Sequence, residues 1–282
     1  MQPLIGGHVS TAGGLWKAIE YAGELGATTI QIFGASPRQW GVKMPGQADI
    51  ERYGEALRKS NIQSVYLHAA YLVNLASPDE ALRAKSVKSL TEHLQIAEAI
   101  GAQGLIFHVG SGKEAPKGEA AKKVVSGMKE VLKAVPGRAQ LILENSAGGG
   151  AKLGSNAKEV GSILKRVESP RAKVCFDTAH AYEAGVIERY TPPLIKQMLI
   201  EWDTEVGLDN IVVLHANDSK TPFDSHSDRH ENIGEGYIGM QGFRNLAHEP
   251  RLKTKPWILE VPGFQGLGPD RKNIELLKMC FE

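Results

Sequence analysis

A single (β/α)8 barrel spanning residues 1–282 is the fold class this sequence predicts, on three observations. Eight short apolar runs, beginning near residues 4, 28, 64, 104, 140, 172, 210 and 256, alternate with amphipathic segments. No linker, low-complexity tract or shift in composition divides them. With 42% hydrophobic and 23% charged residues over 282 positions, the chain can fill one large α/β core. Eight βα units favour a closed barrel over an open doubly wound sheet, which periodicity alone leaves possible.

The first run leads into a helical stripe at Leu15, Ile19 and Ala22, whose three-or-four spacing buries one face. The run near 64 precedes the best-signalled helix. There Ser77 is the expected N-cap, Pro78 suits the first helical position and Glu80 completes a capping box. Val87, Leu90, Leu94 and Ala97 form its stripe, and Gly101 stops it. Later helices are expected near 119–135, 156–167, 191–207, 240–249 and 270–281, each following one of the remaining runs.

Net charge is +1 from 33 basic and 32 acidic residues, so only a local patch can speak for or against nucleic acid. Two cysteines are too few for a disulfide framework and fit a reducing compartment. The start, MQPLIGGHVS, lacks a basic and apolar leader, and no apolar run approaches membrane-spanning length. A cytoplasmic protein is expected. Nothing in the patterning asks for a partner, so a monomer is expected too.

The chemistry lies in how six runs end. Val65-Tyr66-Leu67-His68, Leu105-Ile106-Phe107-His108, Leu141-Ile142-Leu143-Glu144, Val174-Cys175-Phe176-Asp177, Val212-Val213-Leu214-His215 and Trp257-Ile258-Leu259-Glu260 are each three apolar residues followed by a metal-capable side chain. With 9 His and 32 Asp or Glu among 282 residues, six such hits at one chosen offset have a chance frequency on the order of one in a hundred thousand, before allowing for the choice of frame. Any one of them alone reads as a hydrogen-bonding group at a strand end. Parallel barrel strands end at one mouth, where six such groups would converge. Three carboxylates and three imidazoles in an apolar mouth make physical sense when cations neutralise them.

Three more residues reach the same mouth. His180 follows Asp177 by three, and Asp228-x-His230 lies in the polar loop after His215, which closes at Gly234 and Gly236. Nine ligands exceed what one tetrahedral or octahedral ion takes, so several ions are implied. Imidazole and carboxylate without thiolate suit zinc or manganese and do not choose between them.

With these residues in place, the chain resembles the endonuclease IV family, the metal-dependent AP endonucleases of base excision repair. The resemblance runs from GGHVSTAGG to LEVPG and is most specific at HAAYLVNLASP, LIFHVGSG, LILENSAG, CFDTAHAYEAG, HANDSK and DRHENIGEGYIG. It implies three zinc ions, with manganese possible at one site. One would take His68, His108 and Glu144; a second would share Glu144 and add Asp177, His215 and Glu260; the third would take His180, Asp228 and His230. It also implies hydrolysis of the phosphodiester 5′ of an abasic nucleotide in duplex DNA, with Glu144 bridging and orienting the nucleophile. Arg38, Tyr71 and Leu72 are then the residues inserted into the DNA. Lys113, Lys117, Lys220 and Arg229 are assigned to phosphates by loop position alone.

Ala70, Ser146, Gly149 and Ala179 depart from common family wording; none is an expected ligand, but outer partners help orient ligands. Among the remaining histidines, His93 is read as a boundary residue and His248 as a helix cap, while His8 and His226 lie nearer the mouth. Cys175 is read as core, and Gly148 to Gly150 as a tight turn. Two rival functions share this barrel: a sugar isomerase or epimerase using Glu144, Asp177, His215 and Glu260 around one ion, and a DNA-damage binder that does not cut.

Overall fold

Eight parallel strands close on themselves in the computed structural model, which describes residues 3–282. In chain order the elements are β1 (Ile5–Val9), α1 (Leu15–Glu24), β2 (Thr29–Phe33), α2 (Gln47–Lys59), β3 (Ser64–His68), α3 (Glu80–Ile100), β4 (Gly104–His108), α4 (Lys117–Ala134) and β5 (Gln140–Glu144). There follow α5 (Ala157–Val167), β6 (Ala172–Asp177), α6 (Thr178–Glu183), α7 (Pro192–Glu205), β7 (Ile211–His215), β8 (Asp218–Ser219), β9 (His230–Glu231), α8 (Gly239–Ala247), β10 (Trp257–Leu259) and α9 (Arg271–Met279). The barrel order is β1-β10-β7-β6-β5-β4-β3-β2, while β8 and β9 form a separate antiparallel pair. Every apolar run expected to be a barrel strand is one.

Two cores follow from strand parity. Side chains alternate across a strand, so one set points out to the helices and the other into the barrel. The outward set joins the helix stripes in one large cluster that includes Leu67, Phe107, Leu143, Phe176, Leu214 and Leu259. The inward set is Tyr66, Ile106, Ile142, Cys175, Val213 and Ile258, all buried. Cys175 is therefore barrel filling, as expected. Each inward residue precedes one of the six metal-capable strand ends by two positions, so the same parity aims those six side chains at the axis.

One irregularity keeps the aim. Val174 pairs with Ile211 but Cys175 pairs with Val213, so Val212 is an extra residue in β7. The bulge brings Asp177 opposite His215 and both inward sets into phase. Without it, Asp177 would face Leu214.

The third helix starts differently from its sequence signal. Asp79 is the N-cap, accepting from the amides of Ala81 at 2.9 Å and Leu82 at 3.2 Å, and Glu80 is the first helical residue. Ser77 lies too early in the chain; its hydroxyl accepts instead from the Asp79 amide at 3.1 Å. A free carboxylate adjacent to the first turn outcompetes a buried hydroxyl for the exposed N–H groups. Gly101, at φ 70°, ends the helix as expected. Among the described residues no helix is long and apolar enough to cross a membrane.

Candidate metal centre

Glu144 sits at the middle of the mouth with no exposed surface. Its two oxygens serve different neighbours. Oε2 lies 3.2 Å from His68 Nε2 and 2.9 Å from His108 Nε2, while Oε1 lies 3.0 Å from His215 Nδ1 and 3.2 Å from His180 Nδ1. A carboxylate divided in this way can bridge two cations. Four overlapping sets have ligand atoms within 4.8 Å of one another: His68, His108 and Glu144; Glu144, Asp177, His215 and Glu260; Asp177, His180 and His230; His180, Glu183 and Asp228. All nine expected ligands are thus brought together, and Glu183 joins them.

Local structure fixes the rings. The His68 Nδ1–H donates to the Ala69 carbonyl at 2.8 Å, which leaves Nε2 as the free ligand atom. His180 Nδ1–H donates to the Asn145 carbonyl at 2.8 Å. That ring is delivered by α6, a helix of six residues capped by Asp177, whose Oδ1 accepts from the His180 amide at 2.8 Å. Asp177 is at once the end of β6 and the start of the turn that swings His180 over the mouth.

Charge balance in the centre is carried by proton sharing. Burial pushes the Glu144 carboxyl up, but His108 and His215 outweigh it and hold the group well below the usual carboxylate range. Burial likewise disfavours ionised Glu260, and His215 and His8 reverse the sign. In return, His180 is raised well above an ordinary imidazole, because Asp177 and Asp228 overcome its burial. His215 is raised against its burial by the Glu260 and Glu144 carboxylates. The charged forms of Glu144 and Glu260 and of His108, His180 and His215 thus stabilise one another, with the imidazoles in the role divalent metal would take.

The donor set also fits metal on a second count. His180 Nε2, His230 Nε2 and Glu183 Oε2 are buried without a hydrogen-bonding partner, and all three belong to the His180 side of the cluster. Buried polar atoms are normally satisfied, and imidazole nitrogen with carboxylate oxygen is what zinc or manganese accepts. No thiol takes part: burial pushes the Cys175 thiol up to about 12.

Four residues of the centre carry no sequence signal of the strand-end kind. Gln31 of β2 accepts from His215 Nε2 at 2.8 Å and donates to Glu260 Oε1 at 2.5 Å and to His8 Nδ1 at 2.9 Å. His8 of β1 stands 3.4 Å from Glu260. The Asn217 amide donates to Asp177 Oδ2 at 2.7 Å and its carbonyl accepts from the Glu260 amide at 2.7 Å. Asn145 pairs with the backbone of Asp177 in both directions. Inward parity on β1 and β2 would have pointed to His8 and Gln31, but an amide is not a metal-type residue and a pattern of ligands passes over it.

A cavity of about 510 Å³ opens above the centre, walled by His8, Phe33, His108, Asp228, Arg229 and Pro269. A second, of about 310 Å³, is lined by Leu72, Asn74, Ser111 and Lys152, and Tyr71 stands between the two. Tyr71 is 65% exposed, its ring meets Phe33 edge to face at 5.6 Å, and its amide donates to the Pro37 carbonyl at 3.2 Å. That bond ties the Tyr71–Leu72 loop to the loop carrying exposed Arg38. Of the basic residues assigned to phosphate, Arg229 lines the mouth and Lys113 is exposed. Lys117 and Lys220 are drawn to Glu159 at 2.6 Å and Glu231 at 3.5 Å.

The other histidines divide. His93 is fully buried and not at a boundary; its Nδ1–H donates to the Ser89 carbonyl within α3. His248 is the C-cap residue of α8. His226 stands against Gly148 and Gly149, whose φ values of 75° and 84° suit glycine in that tight turn.

Known proteins resemble the chain along nearly its whole length. A family model described as xylose isomerase-like TIM barrel matches residues 19–280. Probable endonuclease 4 of Halothermothrix orenii is 38% identical over 97% of this chain and 99% of its own length. Probable endonuclease 4 of Aquifex aeolicus is 36% identical over 99% and 98%. The crystal structure of endonuclease IV from Thermus thermophilus superposes with a TM-score of 0.87 at 35% identity, covering 99% of this chain and 98% of that one. Likeness of sequence and of fold over nearly the whole length leads to one conclusion: this chain belongs to the endonuclease IV family of xylose isomerase-like TIM barrels.

Proposed function

We propose that the chain is a DNA-repair endonuclease that hydrolyses the phosphodiester 5′ of an abasic nucleotide in duplex DNA, leaving 3′-hydroxyl and 5′-deoxyribose phosphate ends. It acts as one barrel domain, as a monomer, with three zinc ions at the mouth. The observation that carries this reading is Glu144, whose two oxygens face separate pairs of imidazoles. His68, His108 and Glu144 would hold one ion; Glu144, Asp177, His215 and Glu260 a second; His180, Asp228 and His230 a third. Ions so held would lower the pKa of water and neutralise the phosphate.

The chain's own residues do the rest. Glu144 would share its two oxygens between two of these sites and orient the attacking water, which is its catalytic role. Gln31 and Asn217 hold His215, Asp177 and Glu260 in the geometry the ions require. Tyr71 and Leu72 enter the duplex where the base is missing, and Arg38 supports them from the neighbouring loop. Manganese at one site is compatible with the same donors.

A sugar isomerase or epimerase would use Glu144, Asp177, His215 and Glu260 around one ion, leaving His68, His108, His180, Asp228 and His230 without a role. A damage binder that does not cut would keep a costly buried charge cluster to no purpose. The deciding experiment incubates the protein with abasic and intact duplexes and maps the ends, alongside elemental analysis. Cutting only 5′ of the abasic site and about three zinc ions per chain support the proposal. Cutting that persists unchanged after strong chelation and in Glu144→Ala overturns it.

A further inference from the structure

We propose that Glu183 is a fourth protein ligand of the ion assigned to His180, Asp228 and His230. The inference rests on the multi-ion reading above and extends it to a residue outside the nine. His180 and Glu183 are three apart on α6, so both project from one helix face. Ligand atoms of His180, Glu183 and Asp228 lie within 4.8 Å of one another.

The two oxygens of Glu183 are used unequally. Oε1 accepts from the Ser219 hydroxyl at 2.8 Å, the Arg229 amide at 3.2 Å and the Thr221 hydroxyl at 3.3 Å. Oε2 is buried and has no partner, and the residue has no exposed surface. Among the described residues no lysine, arginine or histidine forms an ion pair with it. A buried carboxylate left with one bare oxygen is unstable in isolation, and nearby His180 Nε2 and His230 Nε2 also lack a hydrogen bond, standing 3.3 Å and 3.6 Å from the Asp228 carboxylate. Unbonded atoms of His180 and Glu183 from one face of α6, with the Asp228 carboxylate beside them, point to a shared cation. Two imidazoles and one aspartate leave a divalent ion with one unit of positive charge; the second carboxylate completes a neutral set of two nitrogens and two oxygens.

Oε1 also explains why the residue is rigid. Through Ser219 and Arg229 it spans the β8–β9 pair and the loop that carries Asp228 and His230, so one side chain would both anchor that loop and meet the ion. The two roles separate experimentally, because Ser219→Ala weakens the anchor and leaves the carboxylate in place.

The test titrates zinc chloride into chelator-stripped protein against a competing chelator and counts ions per chain for the wild type, Glu183→Gln, Glu183→Ala and Ser219→Ala. The expected result is three ions in the wild type and in Ser219→Ala. Both Glu183 variants should retain two, with the third bound at least about 10-fold more weakly. Glu183→Gln keeps the side chain's size, so it remains informative should Glu183→Ala fail to fold. Wild-type affinity for all three ions in Glu183→Gln overturns the ligand assignment. So does a loss in Ser219→Ala equal to that in Glu183→Gln, since the effect would then follow the anchor. A wild type that binds fewer than three ions instead overturns the three-ion reading itself, and cleavage of abasic duplex by the same preparation tells these failures apart.

Discussion

Gln31 accepts a hydrogen bond from His215 Nε2 at 2.8 Å, across a sequence separation of 184 residues. The bond sets the tautomer: with Nε2 carrying the proton, Nδ1 is the atom left facing Glu144, Glu260 and Asp177. One amide from β2 therefore decides which nitrogen of β7 would be offered to a metal, and its other end holds Glu260.

Gln31→Leu tests that relationship. The substitution frees His215 to rotate or change tautomer and leaves a buried N–H without an acceptor. Zinc affinity at the second site should fall about 10- to 100-fold, and stability by about 1–3 kcal/mol. Chelator competition and urea unfolding of the metal-loaded protein measure the two effects separately.

Glu144→Ala should remove activity and unsettle the metal-free fold as well. His108, His180 and His215 owe their raised pKa values in part to this carboxylate, against the burial that lowers them. Removing one member of such a buried charged group costs about 3–5 kcal/mol. The loss is expected in thermal unfolding of stripped protein near neutral pH, and a melting temperature equal to the wild type's would contradict it.

The pH response of stripped and loaded protein should be opposite in sign above neutrality. His180 and His215 are raised well above 6.5, so the stability they contribute is complete below that value and is lost as pH rises through their folded pKa. Glu144 and Glu260 are held well below 4.5, so their contribution is complete above that value and is lost as pH falls through their folded pKa. Above about pH 6.5, stripped protein should therefore weaken with rising pH as these imidazoles deprotonate. Loaded protein should not, because metal replaces the protons and binds more tightly as they leave. Paired melting curves across that range, with and without chelator, check the prediction.

Tyr71→Ala should separate DNA recognition from metal binding. The ring is largely exposed and contacts Phe33 only at its edge, so stability and ion content should be unchanged. Losing a stacking surface should cost about 1–3 kcal/mol of affinity, about 5- to 150-fold in Kd, for an abasic duplex and much less for an intact one. Fluorescence anisotropy on the two duplexes gives the comparison.

Asp79→Ala should destabilise the protein by about 1 kcal/mol through loss of the α3 cap, with cleavage unaffected. Ser77→Ala should not reproduce the effect through the cap, since the Ser77 hydroxyl reaches only the Asp79 amide. Urea unfolding of the two variants distinguishes them.

The strand ends were legible because their signal is local. A residue two places beyond an inward apolar side chain points inward whatever its partners are, so His68, His108, Glu144, Asp177, His215 and Glu260 could be placed at one mouth from period-two alternation alone. The α3 cap at Asp79 was not legible in the same way: caps compete over one or two residues, and only the path of the chain into the helix decides which oxygen meets the free amides.

The amino-acid sequence by itself determined the eight strand–helix units and the identity of the groups at the strand ends, because parity and apolar patterning act within a few residues. Only the tertiary structure decided how those groups share charge. The division of Glu144 between two pairs of imidazoles, the grip of Gln31 and Asn217, and the bare oxygen of Glu183 all join residues distant in the chain. Such contacts depend on barrel closure and on the bulge that brings Asp177 opposite His215, a register that no single strand encodes.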